Sequence, residues 1–338
     1  MKYRNLGRSG LKVSEICLGT FNFGDQVGEA DAVRIIESAL TSGVTFLDTS
    51  DRYAKTISES IVGKALTGKR QSVVLSTKVA FATGPGTNDG GLSRKHIMEA
   101  VENSLRRLRT DYIDVYYAHV PDYDTPIEET LRAFDDLIHH GKVRYIGCSN
   151  FFSWQLCKAL WVSDVRNLAR FDCVESPYNL LLRDIERELV PLCESEGVGI
   201  CVYNPLAGGI LTGKYDPDKP APPGTRFTMA PAMSNNRPKG QVYSERYWHA
   251  ANFQAIEKLK QVAGKHGLDV THVALAWVLN NRAISSAICG VSSLAQLEKN
   301  LPAAELTLAP EILAACDDVW QQLHPGKFTY GRGPEGMV

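Results

Sequence analysis

The chain changes its hydrophobic period at short intervals. Brief β-branched runs, apolar on both faces, alternate with longer stretches whose apolar positions return every three or four residues. The first pattern predicts buried strands and the second amphipathic helices. An opening segment (YRNLG, RSG, LKVSEI) reads as a hairpin, and the first buried strand runs from Ile16 to Thr20. The pattern then predicts helix 29–42, strand 45–49, helix 58–66, strand 73–79, helix 93–108, strand 112–120, helix 127–140 and strand 143–149. Helix 152–161, strand 171–176, helix 185–196 and strand 198–204 continue the alternation. A Pro-rich stretch interrupts it, since residues 211–241 hold six of the sixteen prolines. Helices 245–266 and 270–281, strand 283–291, a helix over 293–301 and a last one near 310–322 precede a Gly-rich tail.

Punctuation agrees with the period. Ser58 and Ser93 stand where N-caps are expected, and Gly43, Gly141 and Gly197 follow helix ends. Eight strands alternating with helices imply parallel pairing and right-handed crossovers. An open doubly wound sheet and a closed barrel both satisfy that. The open sheet binds at one switch point, and no G-x-G-x-x-G turn follows the first strand. Polar residues instead end strand after strand: Asp48, Lys78, His119, Ser149, Glu175 and Asn204. A barrel gathers such residues at one mouth. The expected fold is therefore α/β, a (β/α)8 barrel forming one domain over 1–338, with a long loop at about 206–244 and a tail at about 323–338.

Charge and composition narrow the function. The 338 residues carry 37 Lys and Arg against 38 Asp and Glu, which leaves no cationic excess for a nucleic-acid clamp or an anionic membrane surface. No apolar run approaches the roughly 20 residues needed to cross a bilayer. Charges occupy MKYRNLGRSGLKV, where a secretory leader would carry its apolar run. Eight cysteines and eight histidines are scattered without C-x-x-C or metal-ligand spacing. The expectation is a cytoplasmic protein with buried, reduced thiols and no metal.

Four residues near three consecutive strand ends carry candidate chemistry: Asp48 and Tyr53, then Lys78, then His119. Each alone has a plain structural explanation, as a loop anchor, a packed ring, a paired barrel charge or a core histidine. Together they form a circuit, because neighbouring barrel strands lie about 4.8 Å apart. A free phenol has a pKa of about 10, poorly matched to neutral pH. Lys78 supplies a cation that favours phenolate, Asp48 keeps that lysine charged in a buried site, and His119 donates a hydrogen bond that orients an acceptor oxygen. Such a phenol would protonate a carbonyl oxygen as hydride reaches the carbon.

TFLDTSDRY, LSTKV, IDVYYAH and GCSNF resemble the motifs of the aldo-keto reductase superfamily, in an order that extends from about Tyr3 to Asn300. The resemblance implies a (β/α)8 barrel whose N-terminal hairpin closes the bottom, and a nicotinamide cofactor, NADP or NAD, extended across the mouth. It makes Tyr53 the general acid/base, with Lys78 and Asp48 tuning it and His119 orienting the substrate carbonyl. It assigns Ser149 and Asn150 to the nicotinamide carboxamide and Tyr203 to its face. Pro205, Leu206, Gly208, Leu211, Gly213 and Lys214 fall around the pyrophosphate, and Gly290, Ser292, Gln296 and Asn300 at the adenosine end. Gly19, Thr20 and Arg226 complete the expected cofactor set. The candidate walls for the substrate, a small carbonyl compound or alcohol, are Phe21, Asn22, the 80–92 loop, Phe151, the Pro-rich loop and the tail, where Phe328 and Tyr330 either close over the mouth or form a contact between copies.

Two positions depart from the family pattern. Glu175 stands where the family usually has Gln, which removes a hydrogen-bond donor and adds a buried acid. The segment GVSSL offers hydroxyls but no cation at the place of a 2′-phosphate, although Lys299 is near in sequence. Other readings explain less. The stretch from Gly208 to Lys214 has P-loop spacing, but Tyr215 occupies the Mg²⁺-binding Ser/Thr position and Pro217 blocks the helix. A Schiff-base lysine at position 78 would be held charged by Asp48, and a glycosidase pair of Asp48 and Glu175 leaves the other residues idle. The remaining alternative is a nicotinamide-binding regulatory subunit of the same fold, like the potassium-channel β subunits. Against it, the chain opens almost directly on its first hairpin strand.

Overall fold

The computed structural model describes residues 1–229 and 238–324. Eight parallel strands close on themselves: β3 (Ile16–Gly19), β4 (Phe46–Asp48), β5 (Val74–Val79), β6 (Ile113–Ala118), β7 (Val143–Ser149), β8 (Cys173–Pro177), β9 (Gly199–Tyr203) and β10 (Ile284–Gly290), with β10 pairing back to β3. Helices α1 (Glu29–Thr41), α2 (Ile57–Ala65), α3 (Arg94–Leu108), α4 (Ile127–His139), α5 (Ser153–Arg166) and α6 (Leu189–Glu196) cross between the first strands. After β9 come α7 (Lys239–Tyr247), α8 (Ala250–Lys265) and α9 (Val270–Asn280), and after β10 α10 (Leu294–Asn300) and α11 (Pro310–Leu323). No helix among the described residues is long and apolar enough to cross a membrane.

Side-chain alternation along each strand builds two cores. Leu18, Leu47, Leu75, Tyr116, Ile146, Val174, Ile200 and Val202 point outward and pack with the helices. Their neighbours Cys17, Phe46, Val74, Val115, Tyr117, Cys173, Cys201 and Ile288 fill the interior. Gly147 makes room there, because a Cβ on it would stand 2.5 Å from the Tyr117 ring. The same period of two carries the inward row from Phe46 to Asp48 and from Val74 through Ser76 to Lys78. It likewise carries Cys173 to Glu175 and Cys201 to Tyr203.

The opening hairpin, β1 (Tyr3–Asn5) and β2 (Lys12–Ser14), pairs antiparallel and seals the bottom. Leu6 and Val13 are fully buried members of the inner core. The hairpin turn meets the barrel backbone at two glycines. A Cβ on Gly7 would lie 2.4 Å from the amide nitrogen of Gly199, and one on Gly199 would lie 2.6 Å from that of Gly7.

Several expectations are corrected. Residues 245–266 are not one helix: the chain breaks at Trp248 and His249, between α7 and α8. Trp248 packs there edge-on or tilted against Tyr215, Phe227 and Phe253 at 4.8–5.3 Å, an aromatic cluster that holds the break. Helix α7 starts at Lys239, inside the stretch expected to be loop. Helix α5 runs on to Arg166 and ends at Asn167 in the left-handed conformation. Ser93 caps α3 by accepting from the His96 amide, but Ser58 lies inside α2 and its hydroxyl donates to the Thr20 carbonyl. The 185–196 segment is a 3-10 turn at Asp184–Glu186 followed by α6. Phe328 and Tyr330 lie outside the described residues.

Candidate active site

The strand ends bring the four chemical residues together. Asp48 ends β4 and Lys78 lies near the end of β5; the lysine Nζ is 2.5 Å from both carboxylate oxygens. It also donates to the Thr49 carbonyl at 3.0 Å and to the Tyr53 hydroxyl at 3.4 Å. Ser76 Oγ donates to Asp48 Oδ1 at 2.7 Å, fixing the carboxylate from the strand below. Glu175 Oε2, from the middle of β8, lies 3.3 Å from the same ammonium. Burial works against the charge on Lys78, but the Asp48 and Glu175 carboxylates outweigh it and hold the lysine pKa well above its ordinary value.

Tyr53 reaches Lys78 from the turn after β4. Its ring packs edge-on against Phe21 at 5.1 Å and His119 at 6.0 Å. Burial pushes the phenol well up, and Lys78 only partly offsets this. The group therefore stands protonated, opposite to the net shift toward phenolate that Lys78 alone would give. His119 follows β6, with Nδ1 3.1 Å from Ser50 Oγ and its ring 4.8 Å from Phe81. Burial lowers the imidazole far below its usual range, helped by Lys78 and Arg52, so His119 is neutral.

Above this floor opens a cavity of about 730 Å³. Its walls carry Gly19, Phe21, Asn22, Ser149, Asn150, Glu175 and Tyr203, then Pro205, Leu206, Gly208, Lys214 and Arg226, then Gly290, Ser292, Gln296 and Asn300. Asn150 adopts positive φ at the β7 end, donates to the His119 carbonyl at 2.9 Å and accepts from the Tyr203 hydroxyl at 2.7 Å. Five expected residues do not line it. Thr20 is buried behind Asp48, bonding its carbonyl at 3.0 Å. Leu211 is in the outer core, and Gly213 turns the chain against Lys260. Phe151 is not a substrate wall: it packs on Phe171 at 5.9 Å beneath α5. Lys78 also lies behind the surface, in contact with Tyr53 and Glu175.

The walls suit an extended polyanion with a polar ring at its inner end. Asn22 Oδ1, Glu175 Oε2 and Asn204 Nδ2 are buried without a hydrogen-bond partner, and their residues all face the cavity. Gly19 and Gly290 pair across β3 and β10 and leave bare backbone beneath Arg226. Arg226 and Lys239 have no ion-pair partner among the described residues and stand 3.9 and 4.4 Å from the Phe21 ring centre. Burial depresses the pKa of both Lys214 and Lys239, the first also pressed by Lys299 and the second by Arg226. Cations crowded together in this way favour phosphate groups, although Asp25 offsets part of the charge at Lys239.

Sequence reasoning reached Phe81, Lys239 and Tyr243 only as parts of two candidate wall loops and did not single out Arg52 or Arg246, yet all five line the cavity. Arg52 and Phe81 had a usable signal, since each stands within a few residues of a strand end. The three on α7 had no signal that singles them out, because their stretch reads as loop up to 244 and as the start of a different helix from 245.

Comparison with known proteins follows the same lines. The family model described as the aldo/keto reductase family matches residues 15–321. Proteins described as probable voltage-gated potassium channel subunit beta, from Arabidopsis thaliana and Oryza sativa subsp. japonica, are each 37% identical over 336 residues, covering 95% of this chain and 97% of theirs. The uncharacterized oxidoreductase YrpG of Bacillus subtilis (strain 168) is 37% identical over 332 residues, covering 95% of this chain and 96% of its own. With the barrel, the strand-end residues and these matches in agreement, the chain belongs to the aldo/keto reductase family.

Proposed function

We propose that this protein is an oxidoreductase that interconverts aldehydes or ketones and alcohols with a nicotinamide dinucleotide, Tyr53 acting as general acid and base. The observation that carries the reading is a protonated phenol 3.4 Å from a charged lysine, beside a neutral imidazole, on the floor of one large cavity. The dinucleotide, when bound, supplies or accepts hydride. Lys214 and Arg226 would hold its phosphates, with Gly19, Gly208 and Gly290 admitting it to the backbone. Ser292, Gln296 and Asn300 would take the adenosine end, where Lys299, paired with Asp269 at 3.0 Å, borders the place of a 2′-phosphate and would favour NADP only by leaving that partner. Ser149, Asn150 and Glu175 would orient the carboxamide, and Tyr203 the ring face.

The substrate carbonyl would sit between Phe21 and Phe81 and accept from Tyr53 and His119. His119 Nδ1 and Ser50 Oγ share a hydrogen bond at 3.1 Å whose direction follows the tautomer; in the tautomer that accepts at Nδ1, the imidazole proton stands on Nε2 and can point at that oxygen. Tyr53 then gives up its proton as charge builds on the oxygen, and Lys78 stabilises the phenolate left behind. In the reverse direction the same phenolate takes the alcohol proton.

A second reading has support in the plant relatives, which are named as probable channel subunits: a nicotinamide-binding regulatory protein with little turnover. One experiment separates the two. Purified protein is titrated with NADPH and NADH by fluorescence, and a panel of aldehydes and ketones is added to the tighter complex. Saturable binding with consumption of reduced nucleotide supports the enzyme. Binding without turnover across the panel favours the regulatory protein, and absence of binding overturns both.

A further inference from the structure

Glu175 is a carboxyl group in a place that already has one. It lies in β8 in register with Ser149 of β7 and Cys201 of β9, and it is only 4% exposed although it borders the cavity. Its Oε2 makes no hydrogen bond and lies 3.3 Å from Lys78 Nζ, which Asp48 holds from the other side at 2.5 Å. One buried ammonium thus serves two acids, and with all three ionised the trio carries one negative charge in excess. Among the described residues, Lys78 is the one cation acting on Glu175, and Asp48 is the opposing anion. The other titratable groups facing it are Tyr53, Tyr117 of β6, Cys17 of β3, and Cys201 and Tyr203 of β9. Burial pushes every one of those phenols and thiols up, so they stay neutral and cannot balance the excess.

An unbalanced buried charge is costly. The site reaches neutrality in one of two ways: a proton on Glu175, or a positive charge brought by the ligand. A nicotinamide ring is neutral when reduced and carries one positive charge when oxidised. It must also come close. A carbonyl bonded to Tyr53 has to lie within about 3–3.5 Å of the reacting ring carbon. Only Lys78 Nζ separates Glu175 from the Tyr53 hydroxyl, at 3.3 Å and 3.4 Å.

We propose that Glu175 reports the redox state of a bound nicotinamide, protonated beside the reduced ring and ionised beside the oxidised one, and so sets the relative affinity for the two forms. This rests on the nicotinamide reading above and goes beyond it, since a glutamine here would hold the carboxamide without exchanging a proton. Burial pushes the Glu175 carboxyl up to about 8, against the pull of Lys78 and with Asp48 adding to the rise. Both protonation states are therefore accessible near neutral pH. An oxidised ring lowers that pKa and a reduced ring leaves it raised. By linkage, the oxidised form then gains affinity relative to the reduced form as pH rises, by at most tenfold per pH unit for one proton.

The test is binding rather than turnover. Kd values for NADP⁺ and NADPH, or for the NAD pair if it binds better, are measured by calorimetry on the full chain from about pH 6 to 9.5, the range spanning the proton exchange. Groups on the nucleotide outside the ring titrate alike in both forms and cancel in the ratio. The expected result is a ratio of oxidised to reduced Kd that falls roughly tenfold or more with rising pH, and a flat ratio in Glu175→Gln with both forms still bound. A flat ratio in the unmodified protein, or an equal slope in Glu175→Gln, overturns the proposal. If the variant fails to fold, the unmodified protein's ratio decides alone. No binding of any nucleotide overturns the cofactor reading itself, an outcome distinct from binding with a flat ratio.

Discussion

At the scale of single residues, on the proposed reading the phenol and the lysine divide the work in a way that mutation can separate. Tyr53 faces the cavity, whereas Lys78 lies behind it and reaches ligands only through neighbours. Tyr53→Phe keeps the ring packed on Phe21 and removes only the hydroxyl. It is expected to bind nucleotide as before and to lose about 10²–10⁴-fold in turnover, the usual worth of a general acid. Steady-state rates beside a nucleotide titration check both halves, and unchanged turnover would exclude Tyr53 as the acid. The residues of this circuit were legible in the sequence because chemistry-bearing side chains ended three successive strands in chain order. Their electrostatics were less so. Lys78 suggested a lowered phenol pKa, but burial is the larger influence, and burial belongs to the folded site. Phe151 misled for a similar reason: it adjoins a site residue in sequence, yet its ring turns under α5 onto Phe171.

At the scale of elements, strands and their crossing helices were readable from period alone, because each had to bury one face or two. The helices after β9 were not. Nothing in the sequence from Tyr243 to Phe253 marks a break, and no proline or glycine stands there. The break exists because Trp248 turns into a cluster with Tyr215 and Phe227, which are distant in sequence. The opening hairpin makes a sharper prediction. Gly7 has φ +59°, and any Cβ there would drive into the Gly199 backbone. Gly7→Ala is expected to lose about 1–3 kcal/mol of stability, combining backbone strain and overpacking. Gly10, on the same turn, has open space around its Cβ position, and Gly10→Ala should stay within about 0.5 kcal/mol. Urea midpoints for the two variants supply the comparison. Equal shifts would mean that the hairpin does not bear on the barrel as described.

For the whole molecule, the sealed floor matters as much as the open mouth. Leu6 and Val13 of the hairpin stopper and the packed interior leave ligands no passage through the barrel. A vessel with one opening works as a stack, last in and first out. On the proposed reading the extended dinucleotide lies along the wall to the floor, and the carbonyl compound lands on top of it between Phe21 and Phe81. The dinucleotide must then load first and leave last. Initial-rate kinetics should give a compulsory order, with the alcohol product a noncompetitive inhibitor against nucleotide. Calorimetry should find no substrate heat until nucleotide is present; random-order binding would be incompatible with this geometry. The hairpin, far from any chemistry, thereby dictates the queue at the site: by closing one door it makes each departing product wait on nothing, and each departing nucleotide wait on the product.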